Sequence, residues 1–419
     1  MIKKIKNIYK IFGPGILMAT AAIGGSHLVS STQAGALFGW SLAIFILLIN
    51  FFKYPFFLAN VQYTMATKKS LIEGYASLGN SWLWLFTILA VIAAVVNTAA
   101  VSMFAASLLG YFIPIKLTIN ILSFIIIFAC LLILIAGKYN LLNNVSKIIM
   151  ITLSIATVVA VVMAVTKDVN STLADDFISP SAWTIASLGF IVILTGWMPA
   201  PIEISSIGSI WLKNQIKQTN INAKNALLDF NVGFIVTAIL AIFFLALGAL
   251  VLHGSAYEFK DGIAFSHQLV TMYSTVIGDW SRLLIAFIAF ACMFGTSITV
   301  IDGYGRAVAE AFSLIRKNRS ASNRSVAVWT IFISIIGFLI IIYFASSMRT
   351  MLDFAMILSF TTTPIFAFLN YKLVRSTKLP KELQNGMFLN ILSICGLIFL
   401  FGFLILFIVY RWFPFLIGL

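Results

Sequence analysis

Apolar stretches of spanning length recur along the whole chain, and a helix needs about 20 such residues to cross the hydrocarbon core of a bilayer. Eleven are read, at about 11–36, 39–65, 81–110, 115–137, 144–166, 182–210, 226–252, 277–303, 325–346, 350–374 and 386–414. Lipid offers no hydrogen bonds to exposed backbone, so each stretch is expected to satisfy its own amides and carbonyls as a helix. The connections are short, and none could hold an independent domain. The chain therefore reads as one all-α transmembrane domain over residues 1–419. Only 10% of its residues are charged, against about 25% in a soluble domain.

The net charge is +14. In a soluble chain that excess would suggest nucleic acid, but here the basic residues lie between apolar stretches, as they do in loops on the cytoplasmic face of a membrane. Nucleic-acid binding is excluded. With the amino terminus inside, 20 of the 27 Lys and Arg fall on inner segments and six on outer ones, while Lys53 lies within a span. The expected protein is integral to the cytoplasmic membrane, with its amino terminus inside and its carboxyl terminus outside. The basic residues Lys3 to Lys10 precede an apolar segment with no cleavage-site pattern, so that segment is expected to remain as the first span. Cys130, Cys292 and Cys395 stand singly in apolar runs and read as small buried hydrophobes, not as a disulfide framework or a zinc site.

Two spans are interrupted near their middles. The first reads Ala22-Ile23-Gly24-Gly25-Ser26-His27, where adjacent glycines and a histidine make poor helix and worse lipid-facing surface. The sixth reads Thr195-Gly196-Trp197-Met198-Pro199-Ala200-Pro201-Ile202-Glu203, where two prolines remove two amide donors and clash with the preceding turn. The carbonyls around Thr195 to Trp197 must then find partners, and a substrate or a cation is one option. Breaks five helices apart fit a five-plus-five inverted repeat with substrate at the midplane. The repeats are expected at about 11–166 and 182–374, with an extra helix at about 386–414.

Gly13-Pro14-Gly15, then Gln33-Ala34-Gly35-Ala36 and Phe38-Gly39-Trp40, resemble the first span of the Nramp divalent-metal transporters, and Trp197-Met198-Pro199 resembles their sixth. The resemblance implies the LeuT-type fold, alternating access, and proton-coupled uptake of ions such as Mn²⁺ and Fe²⁺. The site departs from the family pattern. Where the family has Asp-Pro-Gly-Asn, this chain has Gly24-Gly25-Ser26-His27, and the family's Met-Pro-His is Met198-Pro199-Ala200. Span 3, which carries acids in the family, has none between Ser81 and Gly110.

Two cargo classes stay open. Met198 and His27 are ligand types suited to transition metals. Glu203, at the positive start of the second half-helix, could replace the missing aspartate, with backbone groups of Gly24 and Thr195 adding to the set. Alternatively, free amides at Gly24, Gly25 and Ser26 could bind the carboxylate of an amino acid or another small anion. Lys53, buried in span 2, is expected to pair with Glu203 or Asp302, as a fixed cation, a proton-linked switch or a structural ion pair. His27 could couple protons instead of binding metal. Asp302 and Arg306 read as a local pair with a possible gating role, and Thr362 lies on a polar face of span 10. His253 and His267 read as surface, and Asp175 and Asp176 as solvated loop. No cofactor is expected, because the metal would be cargo; the partners are the bilayer, the transported ion or solute, and protons.

An intramembrane enzyme would need a catalytic set, and neither H-E-x-x-H, G-x-S-x-G nor an aspartate-rich motif occurs. A channel would more naturally show filter or charge rings. The sequence reads as a secondary transporter of a small cation, most simply a divalent metal.

Overall fold

The computed structural model describes residues 13–135, 139–166, 178–218, 221–254, 260–318 and 320–413. Among these residues the chain is helical throughout. Asp175 and Asp176, and the amino-terminal lysines, lie outside the described residues.

The first span is two pieces, α1 (Pro14–Ala22) and α2 (Thr32–Phe38), joined by a bend at Ile23 to Gly25 and a widened turn over Ser26–Ser31. It is followed by α3 (Ala43–Thr67), the short α4 (Leu71–Leu78), α5 (Asn80–Gly110), α6 (Ile119–Ile135) and α7 (Tyr139–Thr166). The sixth span is again two pieces, α8 (Leu188–Trp197) and α9 (Ile204–Gln218). Then come α10 (Ala223–Leu247), α11 (Gly262–Ile277), α12 (Arg282–Ile315), α13 (Asn323–Tyr343), α14 (Met348–Ser376) and α15 (Met387–Trp412). Among the described residues seven helices, namely α3, α5, α10 and α12 to α15, are long and apolar enough to cross a membrane.

Each apolar stretch read from the sequence holds helix, with three differences. The short α4 and α11 lie outside the expected spans; α4 begins at a capping box in which Ser70 and Glu73 satisfy each other's backbone amides. The helix expected to stop at residue 303 continues as α12 to Ile315. Its polar extension is tolerated because Arg306 pairs with Asp302 and Glu310 pairs with Lys213. His253, expected at the surface, is half-buried, with Nδ1 3.0 Å from the Ala36 carbonyl, whereas His267 is exposed.

Three packings hold the centre. The two halves of the first span lie along α10, whose Asp229 carboxylate accepts from the Gly13 and Gly15 amides at 3.1 and 2.7 Å. That places an anion at the positive end of α1. α12 packs along α5, and α14 crosses α8. The outward faces of α13 and α15 show Ile335, Leu339, Ile398 and Ile405, as surfaces solvated by lipid would. Cys130 and Cys292 are buried as expected, but Cys395 is exposed, because α15 packs through one face only.

Candidate functional site between the broken spans

α1 ends at Ala22 with the Ile23 amide bonded to Ala19 and the Gly24 amide to Ala22. The Trp197 indole closes over this bend, and a Cβ on Gly25 would lie 2.4 Å from its ring. Glycine is required there by close approach. Opposite, α8 ends at Trp197, and α9 begins at Ile204. Between the breaks lies a cavity of about 30 Å³, room for a water or a bare ion. Its polar lining comes from Ser26, Asn97, Thr296 and Tyr304, and its apolar lining includes Ala22 and Trp197.

A buried hydrogen-bond chain runs along one wall. Trp197 Nε1 donates to Asn97 Oδ1 and to Ser359 Oγ, each at 3.1 Å. Asn97 Nδ2 donates to the Tyr304 hydroxyl at 2.9 Å, and that hydroxyl donates to Glu203 Oε1 at 3.1 Å. α8, α5, α12, α14 and the second break are thus tied through side chains. Glu203 Oε2 is buried with no hydrogen-bond partner. An unpartnered buried carboxylate oxygen is costly and marks a place where a cation or a donor would be welcome.

Of the residues singled out from sequence, Gly25 and Ser26 line the cavity, and Glu203 meets it through Tyr304. Gly24 faces Thr296, whose Oγ1 would be 3.1 Å from an added Cβ. Thr195 contributes its carbonyl, which accepts from Lys53 Nζ at 2.6 Å. Two others point elsewhere. His27 is turned onto α10: Nε2 donates to the Thr237 carbonyl at 2.9 Å, and Nδ1 pairs with the Ser26 hydroxyl at 2.7 Å. With both nitrogens engaged, the ring holds no free lone pair for a metal. Met198 packs in an apolar cluster with Ala34, Phe38, Leu194 and Leu245. Neither residue lines the cavity, and among the described residues no three His, Cys, Asp or Glu side chains gather as a metal cluster.

Asp302 is not the partner of Lys53. Both its oxygens accept from Arg306 Nε, at 2.9 and 2.8 Å. Thr362 donates to the Ser359 carbonyl of its own helix at 3.2 Å. The sequence reading missed Asn97, Thr296 and Ser359. Asn97 left a signal: it is the one amide side chain in the apolar run from Ser81 to Gly110.

The end of the bundle carrying α4 is closed by polar contacts. Lys213 donates to Glu73 at 2.6 Å and to Glu310 at 3.2 Å, and Asn370 reaches the Phe56 carbonyl and Ser205, both at 2.8 Å.

The model of the natural resistance-associated macrophage protein-like (Nramp) family matches residues 15–410. The chain belongs to the Nramp family. It is 48% identical over 402 residues to PM0681, an uncharacterized protein of Pasteurella multocida (strain Pm70), covering 96% of this chain and 92% of that one. Among solved structures it is similar to a manganese transporter of Eremococcus coleocola, with a TM-score of 0.72 at 14% identity over 96% of this chain and 86% of that one. It is also similar to MhsT in complex with L-phenylalanine, with a TM-score of 0.65 at 12% identity over 93% and 98% of the two chains. The Nramp chain therefore has the LeuT-type fold that the resemblance implied. It is an integral membrane protein of a transporter family, not of an enzyme family.

Proposed function

We propose that the chain is a secondary transporter that moves a divalent metal ion such as Mn²⁺, coupled to protons, by alternating access around the cavity between α1 and α8. The observation that carries this reading is the meeting of two interrupted helices beside a buried, half-satisfied carboxylate, Glu203. Freed carbonyls and one carboxylate are oxygen ligands, and those suit a hard or borderline divalent ion. Family membership supports a metal as cargo. His27, engaged by α10 in this conformation, remains the candidate for proton coupling. The halves at about 11–166 and 182–374 act as the inverted repeats. The protein sits in the cytoplasmic membrane with its amino terminus inside, which places α4 and the Lys213 contacts on the cytoplasmic side.

A second reading, a small organic or anionic solute, is favoured by one feature: the cavity wall itself carries hydroxyls, an amide and an indole, but no charged side chain. Uptake into proteoliposomes with and without an inward proton gradient decides between them. The metal reading expects Mn²⁺ accumulation that the gradient accelerates. Uptake of a labelled amino acid without Mn²⁺ would overturn it.

Alternating access also requires the cytoplasmic closure to be breakable. Lys213→Met leaves Glu73 and Glu310 without their shared cation and favours the state in which they separate. A cysteine introduced by Ser206→Cys, in a background without the native cysteines, is buried behind this closure. Its modification from the cytoplasmic side is expected to quicken by about ten-fold, the population change that about 1.4 kcal/mol produces. An unchanged rate would remove these contacts from the gate.

A further inference from the structure

Pro199 and Pro201 lack the amide hydrogens that a continuing helix would offer to the carbonyls of Thr195 and Trp197, four residues back. α8 therefore ends in free carbonyl oxygens at the negative end of its dipole. The Lys53 ammonium occupies that end. Its Nζ donates to the carbonyls of Thr195, Gly196 and Ala200 at 2.6, 3.3 and 3.5 Å. Three ammonium hydrogens thus meet three carbonyl acceptors, at a residue with no exposed surface. Among the described residues no carboxylate lies within ion-pair distance of it. Glu203 attracts it from farther off, with Oε2 unpartnered. The cage is built for a cation, and the cation in it belongs to the chain.

We propose that Lys53 is a tethered cation seated in the cation-binding cage at the end of α8. A cargo or coupling cation is held by these carbonyls and Glu203 only once the ammonium has left. Two cations cannot share the cage, since like charges in a poorly screened interior repel strongly. Only an ion that gains more from the carbonyls and Glu203 than the ammonium does can displace it, which favours a divalent ion over Na⁺ or K⁺. The identity of the competing ion rests on the metal-carrier reading; the seat itself does not.

The full-length protein in detergent tests this with K53M, which keeps an unbranched stem without the charge, and K53A, which leaves space. Calorimetric titration with Mn²⁺ is expected to show at least a ten-fold tighter dissociation constant for K53M than for the wild type. Methylammonium chloride, balanced against choline chloride, is expected to raise the melting temperature of K53A and leave that of the wild type unmoved. If K53A does not fold, K53M alone carries the Mn²⁺ comparison. A methylammonium response in K53A from a wild type that takes up no Mn²⁺ would uphold the seat and sink the metal reading. Equal Mn²⁺ affinity in wild type and K53M, with no methylammonium response in folded K53A, would overturn the seat even if wild-type Mn²⁺ uptake is robust.

Discussion

Gly35→Leu is expected to leave little folded protein, although residue 35 touches neither the cavity nor any charged group. α2 lies backbone to backbone on the end of α10: a Cβ on Gly35 would fall 2.0 Å from the Leu245 carbonyl oxygen and 2.7 Å from the Ala249 amide nitrogen. The approach is reciprocal, because a Cβ on Gly248 would fall 2.1 Å from the Thr32 carbonyl. No flexible side chain is available to give way. Within lipid, helices gain little from the hydrophobic effect and associate through packing, so small residues at such crossings carry much of the association. Overpacking by one methyl group is expected to cost about 1–3 kcal/mol, and leucine more. The yield of monodisperse protein and its melting temperature in detergent measure this. Gly189→Ala is the control, since nothing lies within 4 Å of the added methyl and α8 is helical there. It is expected to be neutral or slightly stabilising, as alanine is the better helix former by about 1 kcal/mol. Equal losses at Gly35 and Gly189 would exclude close backbone contact as the cause.

That crossing was hidden in the sequence, whereas the helices it joins were not, and the difference is physical. Lipid imposes its demand on contiguous residues, so an apolar run such as 386–414 announces a helix by itself. The breaks were legible for the same local reason, since Gly24-Gly25 and Pro199 with Pro201 disturb any helix that contains them. Where side chains point at a break depends on how the chain resumes. The widened turn over Ser26–Ser31 carries His27 onto Thr237 of α10, and nothing local predicts that. Met198 before Pro199 looked like a ligand because of its neighbours in sequence, yet its neighbours in space are Phe38 and Leu245. The chain from Trp197 through Asn97 and Tyr304 to Glu203 joins three separate stretches of sequence and has no signature there beyond a lone Asn in an apolar span. Hydropathy ended the eighth span early because it counts Asp302, Arg306 and Glu310 as costs, although each has a partner.

Glu203→Gln is expected to abolish transport while the protein still folds, and Lys53 is the reason the two effects can be separated. The amide oxygen of glutamine can still accept from the Tyr304 hydroxyl, so the wall from Trp197 to residue 203 is kept. What disappears is the negative charge beside the cage. A divalent cargo then meets neutral oxygens only, and removing the charged partner of a desolvated ion typically costs about 2–5 kcal/mol, which corresponds to a loss of about 30-fold or more in affinity. The Lys53 ammonium loses the same attraction while keeping its three carbonyls, so a lower melting temperature is expected short of unfolding. Lys53→Met in the Glu203→Gln background is expected to recover part of that stability, because it leaves no uncompensated charge in the break. Contacting or charge-coupled residues show interaction energies of about 0.5–3 kcal/mol in such cycles, and a positive coupling in that range is the expected result. Transport should not return in the double variant, because the carboxylate is still absent. Additive melting temperatures would mean that Lys53 and Glu203 act independently. Undiminished Mn²⁺ uptake by Glu203→Gln would show that the cargo is held without a carboxylate, which would move the argument to the uncharged wall formed by Ser26, Asn97, Thr296 and Tyr304.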